Sequence, residues 1–165
     1  DAARSAQAQA ALLSRTMDRS LAWDSLRWLR ELWDGPLLLK GVLHPDDAKL
    51  AASHGVDGLI VSNHGGRQSD ASPSAISALG PVAEAVPRLP VFLDSGVRGG
   101  ADVLRAQSLG ARAVFLGRPV LYGLACDGEE GAASVLRLFA SDYETNLILQ
   151  GLSSAKDAIH PTAKP

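Results

Sequence analysis

The sequence predicts a parallel α/β fold, and three observations lead to this prediction. Four short apolar runs are continuous rather than alternating, as expected for strands of a parallel sheet that is buried on both faces. A glycine-containing loop and then a segment of helical character follow each run. The runs also recur at the spacing of successive βα units. They cover residues 37–40, 58–62, 91–94 and 113–117.

Helices are predicted between and around these strands. Asp46 and Asp47 place negative charge near the start of the first one, and Gly55 and Gly110 stand where glycines commonly end helices. Leucines and tryptophans recur at helical spacing over 21–32, which predicts packing in a core or an interface. The helical segments are 21–32, 45–54, 73–85, 100–109, a turn at 121–125, and 131–149.

Composition and charge exclude several classes of protein. The 165 residues are 46% hydrophobic with a net charge of −2, which excludes a disordered chain and gives no electrostatic footprint for nucleic acid. Cys126 is the one cysteine, which excludes an internal disulfide framework and a multi-cysteine zinc site, and no metal is predicted. The apolar runs are too short to span a bilayer, and the first residues do not resemble a secretory signal. These features predict a soluble, cytoplasmic protein.

The chain divides into three predicted parts. Residues 1–19 are rich in Ala, Ser and Gln and are expected to form a mobile loop or tail, 20–159 form the folded body, and 160–165 form a frayed end. Four parallel strands leave two sheet edges that must be covered. A doubly wound sheet and half of a (β/α)₈ barrel, which takes about 250 residues, both satisfy this pattern. The strand pattern alone leaves both architectures open.

Polar residues stand where the predicted strands end. The carboxyl ends of parallel strands meet at one face of the sheet, so these residues are expected to converge. They are Lys40, Ser62-Asn63-His64, Asp94-Ser95-Gly96 and Gly117-Arg118-Pro119.

The segment SNHGGRQ, residues 62–68, is the most informative of these. His64 is the residue type that most often serves as a general base, and Arg67 offers a fork that grips a carboxylate with two hydrogen bonds. Lys40 would hold its charge against an anion or a ring that becomes anionic. A structural lysine and a solvated loop histidine are the alternatives for each residue alone, and the presence of all three at one face favours catalysis.

Two glycine-rich segments predict an anion site. Glycines allow close approach of backbone N–H groups, a helix start favours an anion, and Arg98 and Arg118 supply charge. Loops after the last two strands of (β/α)₈ barrels often bind phosphate in this way, although simple tight turns explain either segment alone. The segments are DSGVRGG, residues 94–100, and Gly117-Arg118, and neither matches a Walker loop or a GxGxxG fingerprint.

Lys40 at a strand end, then SNHGGRQ, DSGVRGGADV and LGRPVLYGLA, together resemble the FMN-dependent 2-hydroxy acid oxidase and dehydrogenase family. Its members include glycolate oxidase, lactate oxidases and mandelate dehydrogenase. The resemblance runs from about residue 18 to residue 159 with the motifs in order. It implies a (β/α)₈ TIM barrel to which this chain contributes strands five to eight.

The resemblance also implies FMN as cofactor and a role for each site residue. Lys40 and His64 would be catalytic: the lysine would stabilise the reduced flavin, and the histidine would act as the base and contact the substrate. Arg67 would hold the substrate carboxylate. The implied cofactor-binding residues are Lys40, Ser62, Asp94, Ser95, Gly96, Arg98, Gly117 and Arg118. Many relatives have glycine in place of Ser95 and a second arginine in place of Gly99.

The implied reaction is oxidation of an (S)-2-hydroxy acid to a 2-oxo acid, with flavin N5 as hydride acceptor; a carbanion route uses the same residues. The stretch LGRPVLYGLACDGEEGAASVL is most similar to the mandelate-oxidising branch, which predicts an aromatic acid such as mandelate or 4-hydroxymandelate. The electron acceptor stays open among oxygen, a quinone and a cytochrome. Two alternatives remain: another phosphate-binding TIM barrel, such as an FMN-dependent isomerase or a nucleotide dehydrogenase, and a non-catalytic half-barrel.

In the family, the N-terminal strands supply flavin-facing backbone, substrate-contacting tyrosines and an aspartate that orients the base histidine. None of those strands is present in the 165 residues. We therefore expect the chain to be one piece of a larger, homo-oligomeric enzyme whose N-terminal half is either part of the same polypeptide or a separate chain.

Overall fold

The computed structural model describes residues 8, 11, 12, 15, 16, 18 and 20–159, which divide into two compact units, Asp1–Asp34 and Gly35–Pro165. In the first unit, helix α1 (Asp24–Leu32) buries Leu26 and begins with an exposed Asp24–Arg27 ion pair. Trp28 in this helix and Trp33 directly after it are 59% and 56% exposed, so within the described chain these two tryptophans do not pack in a core, and their packing in an interface stays a prediction.

The predicted loop at 1–19 has helical backbone at five of its described positions, Ala8, Ala11, Leu12, Arg15 and Thr16. The Thr16 hydroxyl donates to the Leu12 carbonyl at 3.1 Å, as in a helical turn. The rest of this segment, apart from residue 18, and the predicted frayed end at 160–165 lie outside the described residues, so the mobility of both stays a prediction.

The second unit contains one parallel sheet of four strands, β1 (Leu38–Val42), β2 (Gly58–Val61), β3 (Val91–Asp94) and β4 (Val114–Phe115). The four predicted strands are thus confirmed. They lie side by side in chain order, β1-β2-β3-β4. A doubly wound sheet reverses its strand order at a switch point, whereas a barrel keeps chain order. The observed order therefore favours the barrel.

Five helices accompany the sheet: α2 (Pro45–Ser53), α3 (Ala75–Ala85), α4 (Gly100–Ser108), α5 (Arg118–Leu149) and α6 (Ala155–Ile159). Helix α2 begins with a proline. His44, directly before the helix, caps it by accepting a hydrogen bond from the Asp46 amide in the first turn. Ser74 caps α3 through the Ser77 amide. Among the described residues, no helix combines the length and apolar character needed to cross a bilayer.

Helix α5 joins two segments that the sequence predicted separately, the turn at 121–125 and the helix at 131–149. Its backbone leaves helical geometry at Asp127 and Gly128, where Gly128 has φ +53°. The chain folds back at this point. The evidence is the close approach of Gly131 to the Gly123 carbonyl oxygen, eight residues earlier, with which a Cβ on Gly131 would collide. Two glycines that face each other allow the two limbs of α5 to pack closely.

The core lies between the sheet and its helices. Helix α2 packs on β1 and on α3, α3 packs on β2 and β3, and α4 packs on α5 and α6. Full burial of several branched side chains stabilises this arrangement, each by roughly 1.5–3 kcal/mol relative to exposure. The largest are Leu59, Leu79, Leu93, Leu104, Val61 and Val82.

The other face of the sheet is open. Successive side chains of a strand point to opposite faces of the sheet. Those on the face away from the helices are less buried than the core residues between them. Leu38 is 42% exposed and Phe115 is 46% exposed, while Phe92 is half-buried and meets Phe115 edge to face at a centroid distance of 6.1 Å. The sequence predicts strands buried on both faces, but the described residues of this unit cover only one.

Candidate active site

The carboxyl ends of the strands bring the predicted site residues together, as the fold requires. Lys40 lies in β1, a 3₁₀ turn at His64–Gly66 follows β2, Asp94 ends β3, and Arg118 begins α5 just after β4. The four positions therefore lie side by side at the carboxyl ends of neighbouring strands.

Lys40, Asp94 and Ser62 form a connected polar group. The Lys40 Nζ lies 3.0 Å from Asp94 Oδ2, and the Ser62 hydroxyl donates to the same oxygen at 2.6 Å. Partial burial opposes ionisation of Asp94, but the Ser62 hydrogen bond and the Lys40 charge outweigh it and hold the pKa of Asp94 below its usual range. Asp94 is therefore a carboxylate at neutral pH. Ser62 is fully buried, and its contact with a cofactor stays a prediction.

His64 lies beside this group in a left-handed backbone conformation, φ +57°. Its amide donates to Ser62 Oγ at 3.0 Å, and its Nδ1 lies 3.5 Å from the Lys40 Nζ. A protonated amine has no lone pair, so Nδ1 accepts in this contact and the ring proton is assigned to Nε2. Gly41 makes room for the ring, because a Cβ there would lie only 3.0 Å from Nε2. Sequence reasoning missed Gly41, although a glycine directly after the strand-end lysine was the available signal.

Hydrogen bonds from two side chains fix the turn that carries His64. The side chain of Asn63 makes two of them: its Oδ1 accepts from the Gly66 amide at 3.2 Å, and its Nδ2 donates to the Pro73 carbonyl at 3.2 Å. On the other side, the Gly65 amide donates to Ser95 Oγ at 2.9 Å. The position of the turn thus depends on two side chains, one of them 30 residues away.

Three arginines lie near the carboxyl ends of the strands. Each binds a backbone carbonyl through one nitrogen and has other guanidinium N–H groups that can bind a ligand. Arg67 Nε donates to His64 O at 3.0 Å, Arg118 Nη2 donates to Gly65 O at 3.0 Å, and Arg98 Nη1 donates to Val97 O at 3.1 Å. Within the part of the chain that the structure describes, none of them pairs with a carboxylate. Unpaired guanidinium groups at one edge favour binding of an anion.

A cavity of about 210 Å³ joins these groups. Eight of the ten predicted site residues line it, and Lys40 and Ser62 are the two that do not. A Cβ added to Gly96 or Gly117 would meet no atom within 4 Å, so the backbone is open to a ligand there. The eight residues are His64, Arg67, Asp94, Ser95, Gly96, Arg98, Gly117 and Arg118.

A second cavity, of about 280 Å³, shares five lining residues with the first, namely Gly65, Ser95, Gly96, Val97 and Arg118. It extends to the starts of α3 and α4, where Ser74 and Asp102 line it. Its lining includes neither His64 nor Arg67. The candidate base and the candidate carboxylate clamp therefore both belong to the smaller cavity.

Asp142 anchors the loop that follows β3, and sequence reasoning missed it. Its Oδ2 accepts from the Ala101 amide at 3.1 Å at the start of α4. Gly99 is close to the same carboxylate, since a Cβ there would lie 2.9 Å from Asp142 Oδ2. Any side chain at position 99 would therefore require Asp142 to shift. No local signal pointed to Asp142, because it lies 41 residues from Ala101.

The chain is similar to known proteins in sequence and in fold. The model of a family described as FMN-dependent dehydrogenase matches residues 1–163. 2-Hydroxyacid oxidase 1 of Mus musculus is 48% identical over 87% of this chain and 39% of its own length. The structure of the monotopic membrane protein (S)-mandelate dehydrogenase superposes with a TM-score of 0.86 and 45% identity, over 92% of this chain and 40% of that one.

Mandelate oxidase, solved with (S)-4-hydroxymandelic acid, superposes with a TM-score of 0.81 and 41% identity, over 84% of this chain and 39% of that one. The chain thus spans about two fifths of the length of the relatives that it matches.

Proposed function

This chain belongs to the FMN-dependent dehydrogenase family, and we propose that the enzyme of which it forms a part oxidises an (S)-2-hydroxy acid to a 2-oxo acid. One observation carries the proposal: His64 and Arg67 line one cavity together with the unpaired Arg98 and Arg118. A base, a carboxylate clamp and an anion site in one cavity are what a 2-hydroxy acid and a phosphate-bearing cofactor require.

An N-terminal half completes this enzyme. The open face of the sheet supports this, because Leu38 and Phe115 need apolar partners, and so does the two-fifths coverage of the relatives. We call the assembly of this chain with that half the complete enzyme. Purified alone, the chain is expected to bind no FMN, and FMN is expected to bind once the half is supplied. Stoichiometric FMN binding by the chain alone, with turnover, would contradict this.

The residues present fit FMN, which supplies the acceptor of two electrons when bound. Arg98 and Arg118 would hold the phosphate, with backbone N–H groups at Gly96 and Gly117, where no Cβ obstructs the approach. Asp94 and the backbone of Ser95 lie along the same cavity and would hold the polar chain of the cofactor. Lys40, which contacts Asp94, would stabilise negative charge on the reduced ring, and Ser62 would contact the ribityl region of the cofactor.

The substrate would be oriented by Arg67 and deprotonated by His64. Arg67 uses its Nε for the His64 carbonyl, so its two terminal nitrogens stay available for a bidentate grip on a carboxylate. His64 needs a lone pair to take the hydroxyl proton. In the contact with Lys40, Nδ1 is the acceptor and Nε2 carries the ring proton. For Nε2 to take the substrate proton, the ring proton must move to Nδ1, and Nδ1 must exchange Lys40 for an acceptor, which the orienting aspartate of the N-terminal half would provide.

We propose an aromatic substrate, mandelate or 4-hydroxymandelate. The likeness to mandelate dehydrogenase and to mandelate oxidase supports this, and Phe115 and Leu121 add apolar surface to the cavity. The test is kcat/KM of the complete enzyme for (S)-mandelate, 4-hydroxymandelate, lactate and glycolate. The aromatic acids should exceed the aliphatic ones by roughly tenfold or more, the discrimination that a well-filled apolar pocket provides. Equal or better values for lactate or glycolate would contradict the aromatic assignment.

The cytoplasmic location and the homo-oligomeric state predicted from the sequence are also part of this proposal. Sedimentation of the complete enzyme tests the oligomeric state, and a single protomer would contradict it. Fractionation of the source cells tests the location, and recovery of the enzyme with membranes or organelles would contradict it.

A further inference from the structure

Two residues of the site have a backbone conformation that side chains rarely adopt. Among the described residues, His64 (φ +57°) and Ser95 (φ +90°) are the non-glycine residues with positive φ. Such a conformation costs a non-glycine residue roughly 1–3 kcal/mol and is maintained only by its surroundings. Glycine would adopt the backbone of Ser95 without strain. A serine there is therefore explained by what its hydroxyl does.

The Ser95 hydroxyl lies between the two loops of the site. Its oxygen accepts from the Gly65 amide at 2.9 Å and lies 3.3 Å from Ser62 Oγ. Ser62 has a single hydroxyl proton, which it donates to the Asp94 carboxylate. Ser95 must therefore be the donor to Ser62. The proton positions thus have one consistent order, Gly65 N–H to Ser95, Ser95 to Ser62, and Ser62 to Asp94.

This chain of hydrogen bonds connects the candidate base to the candidate cofactor loop. The Gly65 amide belongs to the peptide bond that follows His64, and the His64 amide itself donates to Ser62 Oγ. At the other end, Asp94 binds Lys40. The position of the His64 backbone is thus set relative to Asp94 and Lys40 through two serine hydroxyls.

We propose that Ser95 is a positioning residue: its hydroxyl holds the His64 turn at a fixed place relative to the loop after β3. This rests on the proposed function, since it assigns His64 as the base. Ser95 acts through His64 and is needed when the substrate proton is taken, so its loss slows the reaction of bound substrate. The backbone of residue 95 remains available to the cofactor whichever side chain is present.

Two substitutions separate the hydroxyl from the backbone strain. Ser95→Ala removes the hydroxyl and keeps the strain, whereas Ser95→Gly removes both and is compatible with the native backbone. In the complete holoenzyme, both should lower kcat and the rate of anaerobic flavin reduction at saturating substrate by about tenfold. KM and the Kd for FMN should change by less than about twofold. Thermal stability should differ between the two, with Ser95→Gly the more stable.

Ser108→Ala is the matched control, because Ser108 lines neither of the two cavities described above and its hydroxyl binds the Arg105 carbonyl in α4. It should leave flavin reduction unchanged. Full-rate flavin reduction by Ser95→Gly would overturn the proposal, since backbone conformation alone would then suffice. Loss of FMN from Ser95→Gly would also overturn it, by assigning the hydroxyl to cofactor binding. Wild-type enzyme whose flavin no 2-hydroxy acid reduces would refute the proposed function itself.

Discussion

The two ends of the same sheet are built by different interactions. At the amino ends of the strands, backbone groups pair with one another: Asp57 N with Leu37 O at 2.8 Å, Leu59 N with Pro90 O at 3.0 Å, and Arg112 N with Val91 O at 2.7 Å. One side chain joins them, since Asp57 Oδ2 accepts from the Leu37 amide at 2.8 Å. At the carboxyl ends, side chains of Lys40, Asp94, Ser62 and Ser95 make the contacts.

The difference separates the features that destabilise this chain from those that stabilise it. Among the described residues, the carboxyl ends carry two residues with strained backbone, His64 and Ser95, together with an ion pair and three arginines that have no carboxylate partner. The apolar layer between sheet and helices, with Leu59 and Leu93 almost fully buried, offsets those costs. In parallel α/β folds, chemistry concentrates at the carboxyl ends and stability elsewhere. Substitutions at the two ends should therefore have separable effects.

The largest expected effect is that of His64→Ala. Loss of a general base should lower kcat of the complete enzyme by roughly 10²–10⁴-fold, while FMN stays bound. The control is His54→Ala, at the end of α2 and outside the cavity, which should leave kcat unchanged within about twofold. Steady-state kinetics with (S)-mandelate makes the measurement. A His64→Ala enzyme with near wild-type kcat would show that another group takes the proton.

Leu59→Ala tests the opposite claim, that the covered face of the sheet provides stability rather than chemistry. Removal of this fully buried side chain should lower the free energy of unfolding by about 3 kcal/mol, with kcat per folded enzyme unchanged. Leu50→Ala on the exposed surface of α2 is the control and should cost less than about 1 kcal/mol. Urea denaturation gives both values. Equal losses for the two variants would argue against the core described above.

Arg67→Lys sharpens the assignment of the carboxylate clamp. A lysine cannot replace two parallel hydrogen bonds, so the KM for 2-hydroxy acids should rise by about a hundredfold. Arg112→Lys, at the amino end of the sheet, should leave KM unchanged. An unaffected KM in Arg67→Lys would favour another phosphate-binding barrel enzyme, whose substrate has no carboxylate to hold.

The smallest effect concerns pH. The pKa of Asp94 is lowered in the folded state, so its ionised form contributes stability that is present above about pH 4, the ordinary pKa of an aspartate, and is lost as the pH falls through its lower, folded-state pKa. Asp94→Asn should therefore destabilise the enzyme more at pH 7 than near pH 3. Asp47→Asn, at an exposed position, serves as the control. An equal cost of Asp94→Asn at both pH values would contradict the role of its charge.

Much of the fold was predictable from local signals. Continuous apolar runs located the four strands, because burial in a parallel sheet demands them. The pattern did not choose between a doubly wound sheet and a barrel, because that choice depends on strand order, which no single run encodes. Residue types at strand ends likewise identified His64, Arg67 and Lys40 before any geometry was known.

Other features could not be predicted because they depend on contacts between distant residues. The hydrogen bond from Gly65 to Ser95 spans 30 residues, and that from Ala101 to Asp142 spans 41. The reversal of α5 depends on the contact between Gly123 and Gly131. In the sequence, the segment that contains these two glycines resembles an ordinary helix. The exposure of Phe115 and Leu38 was missed because apolar strands look the same whether or not a partner covers them.

One measurement tests the central claim most directly: the visible absorption spectrum of the complete enzyme under anaerobic conditions, before and after addition of (S)-mandelate. The account predicts an oxidised-flavin spectrum with bands near ~370 and ~450 nm that mandelate bleaches. Bleaching by lactate or glycolate alone would keep 2-hydroxy acid oxidation and reject the aromatic substrate. A preparation without flavin, or a flavin that stays oxidised with all three acids, would contradict the assignment of this cavity to 2-hydroxy acid oxidation.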